Sequence, residues 1–158
     1  MVRVQTEVFD VAAEIADLHG QDGRIGAVCS FLGTVRDLQP SSNVNETLTA
    51  LELEHYPGMT EQSLQSMVDA AMVRFDILGA RIVHRVGVLK PLEPIVLVLV
   101  SSAHRAESFK ACEFLMDFLK TQAPFWKKEH TPSGGHWVDA RVSDDAALAR
   151  WGAFSSNS

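Results

Sequence analysis

The chain of 158 residues lacks most features that mark membrane, secreted or metal-binding proteins. Its longest strongly apolar run covers residues 95–100, far short of the ~20 residues that span a bilayer, and its start has no apolar signal-peptide segment. The two cysteines, Cys29 and Cys112, form no CxxC pair and no zinc-type cluster with histidine. We therefore expect a cytoplasmic protein with no membrane segment, metal centre or disulfide framework.

Lysine is absent from the first 80 residues, which hold four Arg against twelve acidic residues. The remaining residues carry a small positive balance, within a net charge of −6. An acidic chain is a poor general nucleic-acid binder, whereas a local basic cluster suits one small anion. The chain also has no P-loop, GxGxxG, GxSxG or HExxH motif, so the common nucleotide, hydrolase and metalloprotease signatures are excluded.

The composition, 46% hydrophobic and 22% charged, fits one globular domain, which we assign to residues 1–151 with a flexible tail at 152–158. Hydrophobic periodicity predicts α+β architecture, with an antiparallel sheet and two long helices. The predicted strands are 24–35, 47–56, 81–89, 95–101 and 136–142, with the third and fourth forming a hairpin. The predicted helices are 60–79, 102–120 and 143–151, and residues 125–135 are a predicted loop.

Several reactive residue types are interpreted as structural from their position in these elements. Cys29 falls within an apolar strand, and Cys112 falls on the apolar stripe of the second long helix, together with Ala106, Phe109, Met116 and Leu119. His55 and His84 lie on apolar strand faces, where we expect satisfied core or interface groups.

Two segments carry charged residues that folding alone does not require. In GTVRD, residues 33–37, a glycine ends a strand and Arg36 follows, so backbone and guanidinium could together approach a phosphate. In SSAHR, residues 101–105, His104 and Arg105 stand at a helix start, where free N–H groups favour an anion. The alternative in both cases is a solvated surface side chain.

The third segment, residues 119–135, contains Lys120 in the last turn of a helix and Lys127 and Lys128 after an aromatic corner. A lysine near other cations and partly desolvated can act as an acid, base or nucleophile near neutral pH. The alternative is a lysine that offsets the helix dipole. Sixteen helical residues separate His104 and Lys120 by about 24 Å. If both serve one small substrate, the site is shared between two chains of a homodimer.

These segments together resemble the large, catalytic subunit of molybdopterin synthase. The resemblance runs from about Gly26 to Trp151 and rests on uncommon strings in one order. They are LELEHYPGMTE at 51–61, VHRVGVL at 83–89, SSAHR at 101–105, MDFLKTQAPFWKKE at 116–129 and WVDAR at 137–141.

The resemblance implies an α/β hammerhead-type fold and a homodimer at the centre of a heterotetramer with a small ubiquitin-like partner. That partner would carry sulfur as a thiocarboxylate on its C-terminal glycine. The reaction implied is conversion of cyclic pyranopterin monophosphate into molybdopterin, a sulfurtransferase step of molybdenum cofactor biosynthesis that needs no cofactor or metal.

The resemblance also implies the site residues. Lys120 and Lys127 match the catalytic lysines. Because the reaction needs proton transfer and stabilisation of negative charge, we expect Lys120 to act as general acid or base and Lys127 to give electrostatic support, or the reverse. The substrate-binding positions matched are Thr34, Val35, Arg36, His104, Arg105, Lys128, Glu129 and Arg141.

Two alternatives belong to another functional class. One is a non-catalytic module that only docks a ubiquitin-like tail. The other is a single-strand nucleic-acid binder that uses Phe125, Trp126, Lys127 and Lys128, which the net charge of −6 disfavours.

Overall fold

The computed structural model describes residues 1–37, 40, 41, 44–138 and 149–152, with only the backbone described at 40, 41 and 44–46. The helices in these ranges are α1 Val11–His19, α2 Met59–Arg74 and α3 Arg105–Gln122. The strands there are β1 Val2–Gln5, β2 Ala27–Thr34, β3 Pro40–Ser41, β4 Val44–Thr47, β5 Ala50–His55, β6 Gly79–Arg85, β7 Gly87–Leu89, β8 Pro94–Ser102, β9 Phe125–Thr131 and β10 Gly134–Val138. The predicted α+β class and its two long helices are confirmed.

The first sheet has the strand order β1-β6-β8-β2 and is covered by helices on both faces. Val96, Val98 and Val100 of β8 pack with α2 and α3, whereas Leu97 and Leu99 pack with α1. Burial on both faces explains why β8 is a continuous apolar run, as predicted. The sheet is antiparallel except that β1 pairs in parallel with β6.

The second sheet is antiparallel, with the order β10-β9-β5-β7. The single strand predicted over 81–89 is wrong, because the chain turns at Val86 and Gly87 and passes from the first sheet to the second. Gly87 has a φ of +89°, which a residue with a Cβ adopts only under strain. The chain between β6 and β8 therefore contributes β7 to the second sheet, so these two strands pair antiparallel but not as a tight hairpin.

The loop predicted over 125–135 is also wrong, since most of it forms β9 and the start of β10. In β9 two aromatic residues are followed by three charged ones, a pattern that lacks the apolar period of a typical strand. Pairing with β5, some 75 residues earlier in the chain, supplies the backbone hydrogen bonds. Helix α2 ends at Arg74, before the predicted Gly79.

The buried face of α3 differs from its predicted stripe. Cys112 and Leu119 are buried, but Phe109 is 60% exposed and Phe114 is fully buried. The ring of Phe114 contacts Phe75, Phe118 and Trp151 at centroid distances of 5.3, 4.5 and 5.5 Å. The first sheet and α2 both pack against α3. The buried face of this helix is therefore wider than one apolar stripe.

The substitution Phe114→Ala should lower the free energy of unfolding by about 3–5 kcal/mol, because it leaves a cavity among packed rings. The matched control is Phe109→Ala on the same helix, for which we expect a change within about 0.5 kcal/mol. Urea unfolding of both variants checks this. Equal losses would mean that the two phenylalanines are packed alike.

No helix within the described ranges is long and apolar enough to cross a membrane. The helix predicted over 143–151 falls mainly on residues that the structure does not describe, and so does the predicted tail, apart from Gly152.

Candidate active site

A cavity of about 420 Å³ opens between the two sheets and the end of α3. Its apolar wall comes from β5, β8 and α3, through residues such as Leu53, Val96 and Met116. Polar side chains enter from the segment after β2, from the last turn of α3, and from β9. The cavity therefore lies where three chain segments that are distant in sequence converge.

Three cationic side chains line this cavity, namely Arg36, Lys120 and Lys127. Lys120 stands in the last turn of α3, which stops before Pro124. Lys127 lies on β9, opposite Leu53 of β5 and Val138 of β10. Glu129 is the one carboxylate among the described lining residues, so the cavity carries an excess of positive charge that suits an anion.

Glu129 is 4% exposed, and its Oε2 atom has no hydrogen-bond partner among the described residues. It lies two residues after Lys127 on the same face of β9, because side chains alternate along a strand. A buried carboxylate oxygen without a partner is costly unless a donor reaches it. Glu129 is therefore placed to accept a hydrogen bond from a molecule in the cavity.

The segment after β2 is held against the start of β8. The Val35 backbone N–H donates to the Glu93 carbonyl at 2.9 Å, and Leu92 N–H donates to the Val35 carbonyl at 2.7 Å. Val35 is buried, whereas Thr34 and Arg36 are exposed. These bonds fix the backbone from which Thr34 and Arg36 reach the cavity.

Of the ten predicted site residues, Thr34, Val35, Arg36, Lys120, Lys127 and Glu129 line this one cavity. Lys128 does not, since it lies on the opposite face of β9 with its Nζ 5.4 Å from the Trp137 ring centroid. Arg141 lies outside the described residues.

His104 and Arg105 lie apart from this cavity. His104 is the N-cap of α3, and both residues are exposed. Fifteen helical residues or more separate them from Lys120, a span of about 24 Å. One copy of the chain therefore does not bring the two groups together.

The two cysteines do not line the cavity. Burial, followed by the neighbouring Cys29, raises the pKa of the Cys112 thiol to about 12. A thiol with such a pKa stays protonated at neutral pH and is a poor nucleophile. The structural interpretation of Cys112 agrees with this environment.

His84 lines the cavity, although its place on an apolar strand face predicts a core or interface group. It is 5% exposed, and its ring stacks on Phe125 at 3.9 Å between centroids and 18° between planes. Burial lowers the pKa of His84 to about 4, with smaller contributions from the charges of Lys120 and His55. The sequence offers one signal for a role in the site, since His84 belongs to the VHRVGVL string at 83–89 that resembles the family.

The lowered pKa of His84 predicts acid sensitivity. The unfolded chain binds a proton at this histidine below about pH 6.5, but the folded chain does so only near pH 4. The free energy of unfolding should therefore fall by up to about 3 kcal/mol from this group as pH decreases across that interval.

Urea unfolding at several pH values measures the effect, and His84→Phe is the control because Phe keeps the ring stack but cannot titrate. We expect the stability difference between the two proteins to change between pH 6.5 and 4. A constant difference would show that His84 titrates alike in the folded and unfolded chain.

Comparison with known proteins identifies the family of this chain. The family model described as "MoaE protein" matches residues 4–122. A molybdopterin synthase catalytic subunit from Ralstonia nicotianae is 58% identical over 99% of this chain and 86% of its own length. Its counterpart from Pseudomonas aeruginosa is 49% identical over 95% of this chain and 97% of its own length.

Among solved structures, the molybdopterin biosynthesis MoaE protein from Burkholderia ambifaria superposes with a TM-score of 0.82 at 52% identity. The superposition covers 97% of this chain and 98% of that protein. The match in sequence, in fold and in nearly full length leads to one assignment. The chain belongs to the MoaE family of molybdopterin synthase catalytic subunits.

Proposed function

We propose that the cavity is the active site in which this chain converts cyclic pyranopterin monophosphate into molybdopterin. The single observation that carries the proposal is the convergence of Arg36, Lys120, Lys127 and Glu129 on one cavity. The substrate is a phosphorylated heterocycle, so it needs both a cationic clamp and hydrogen-bonding groups within an apolar wall. The cavity offers the cationic groups, the hydrogen-bonding groups and the apolar wall.

The four polar residues have separate roles in this proposal. Arg36 binds the phosphate through charge-assisted hydrogen bonds, as guanidinium groups do with oxyanions. Lys120 transfers protons at the reacting atoms, and Lys127 stabilises developing negative charge. Glu129, whose Oε2 has no partner in the described part of the chain, accepts a hydrogen bond from a substrate N–H or O–H group.

The sulfur arrives from outside this chain. A small ubiquitin-like partner carries it as a thiocarboxylate on its C-terminal glycine, and that tail enters the cavity beside Lys120. The position of Cys29 and Cys112 outside the cavity supports an external sulfur donor. The raised pKa of Cys112 also supports an external donor, because a protonated thiol is a poor nucleophile for carrying sulfur as a persulfide.

We also propose that the active site is completed in a homodimer. His104 and Arg105 stand at the start of α3, and Lys120 stands at its end. In a dimer, one protomer supplies the lysines and the other supplies His104 and Arg105 as further phosphate ligands. Lys128 and Arg141 remain proposed substrate contacts at the rim of this composite site.

Residues 1–151 act as one functional unit in this proposal, and residues 152–158 take no part in it. The cytoplasm is the proposed compartment, because its reducing conditions suit the free thiols of Cys29 and Cys112.

A reconstitution assay tests the proposal. It contains the purified chain, a thiocarboxylated small subunit and cyclic pyranopterin monophosphate, and it detects molybdopterin as its fluorescent oxidised derivative. We expect product only when all three components are present. A stable complex with the small subunit that forms no product would instead identify a non-catalytic docking module.

A further inference from the structure

His84 is the buried polar residue of the cavity that the proposed reaction leaves without a role. It comes from the centre of the first sheet, on β6, and it reaches the same cavity as Lys120 of α3. Only 5% of its surface is exposed. A polar side chain buried to this extent normally satisfies its hydrogen-bonding groups.

One of its two ring nitrogens is satisfied. The Nδ1 atom lies 2.8 Å from the backbone carbonyl oxygen of Arg85. A carbonyl oxygen can only accept a hydrogen bond, so Nδ1 carries the proton and donates it. In a neutral imidazole the other nitrogen, Nε2, is then an acceptor.

That acceptor has no hydrogen-bond partner among the described residues. The ring cannot easily turn to find one, because it stacks on Phe125 and is tied to Arg85. The Arg85 guanidinium is not available either, since it donates to the Thr6 and Pro94 carbonyl oxygens. Nε2 is thus a fixed acceptor at the wall of the cavity.

Burial, followed by neighbouring positive charge, favours the neutral form of His84. Lys120 on α3 and His55 on β5 both lower its pKa through their charges, and Lys127 and Glu129 on β9 line the same cavity. Near neutral pH the ring is therefore an acceptor rather than a second cation beside Lys120.

Lys120 offers the complementary group. Its ammonium has three N–H donors and no acceptor, and within the described part of the chain it forms no hydrogen bond or ion pair. Its four-carbon stem is flexible and exposed, so the ammonium needs a partner to stay in the cavity.

We propose that His84 is a positioning residue whose Nε2 accepts a hydrogen bond from the Lys120 ammonium and holds that group inside the cavity. The expected effect on turnover rests on the proposed function, because His84 acts through Lys120. The hydrogen bond between the two side chains does not depend on that function. A misplaced catalytic group can slow a reaction by about 100-fold without loss of substrate binding. His84 therefore contributes to kcat rather than to KM.

Three variants distinguish the hydrogen bond between His84 and Lys120 from the packing of the His84 ring. His84→Phe keeps the ring stack and removes both nitrogens. His84→Asn keeps a donor near Nδ1 for the Arg85 carbonyl but places no acceptor at Nε2. His84→Gln reaches the Nε2 position with an amide oxygen.

In the reconstitution assay we expect His84→Phe and His84→Asn to lose about 10- to 100-fold in kcat, with KM changed less than about threefold. His84→Gln should retain several-fold more activity than either. A His84→Asn protein as active as the wild type would overturn the proposal, because it would show that only the Arg85 hydrogen bond matters. His84→Asn also serves as the test if His84→Phe fails to fold.

A second measurement does not depend on the enzymatic activity of the chain. In the ¹⁵N-lysine-labelled protein, the Nζ signal of Lys120, assigned by its loss in Lys120→Ala, reports how fast its protons exchange with water. We expect faster exchange in His84→Phe and His84→Asn than in the wild type. Unchanged exchange would overturn the proposal, whereas a wild-type protein with slow exchange but no turnover would instead contradict the proposed function.

Discussion

Replacement of Lys120 by alanine is expected to abolish turnover while the fold stays intact. Lys120 is exposed and lies in the last turn of α3, where a lysine contributes well under about 1 kcal/mol through the helix dipole. In the cavity, by contrast, it is the proposed proton-transfer group, and no other described residue of α3 that lines the cavity can take this role. The reconstitution assay measures the loss, and urea unfolding measures the stability.

The matched control is Lys110→Ala. Lys110 lies on the same helix and is exposed, and its Nζ forms an ion pair with Glu107 at 3.1 Å, away from the cavity. We expect normal turnover from this variant, with a stability change of no more than about 0.5 kcal/mol. Wild-type turnover in the Lys120→Ala protein would refute the role assigned to Lys120.

Mixing two inactive variants should restore activity if the site is shared between protomers. We expect Lys120→Ala and Arg105→Ala each to be severely impaired as homodimers. A hybrid dimer of the two chains has one site in which both Lys120 and Arg105 are intact. After random exchange of protomers, about a quarter of all sites are of this kind, so activity should approach a quarter of the wild-type value.

The control for this experiment mixes Lys120→Ala with Lys127→Ala. Both lysines line one cavity of one chain, so no hybrid site regains the pair. We expect no restoration from this mixture. Restoration in the control, or none in the first mixture, would contradict a site built from lysines of one protomer and His104 and Arg105 of the other.

Strand β9 has a fold that its local sequence pattern does not predict. Its residues alternate between the cavity face, with Lys127 and Glu129, and the opposite face, with Trp126 and Lys128. Because both faces carry charged residues, the segment has no apolar period and was predicted as a loop. Pairing with β5 makes it a strand, and this pairing also decides that Lys127 enters the cavity and Lys128 does not.

His84 shows the same limit within the site. It follows the buried apolar residues Ile82 and Val83 on β6, so the local pattern indicates a core residue. Only the packing of α3 and β9 against the first sheet places that core position at the wall of the cavity. A long-range contact of this kind leaves no local periodicity to detect.

The sequence by itself determined the fold class, the two long helices and the buried strand β8, because each depends on local hydrophobic periodicity or on a continuous apolar run. Its uncommon strings also led to the family and to both proposed catalytic lysines. The tertiary structure alone decided which candidates share a cavity, which face of β9 is functional, and that His84 joins the site. The physical reason is that these features depend on strand pairing and helix packing between segments far apart in the chain.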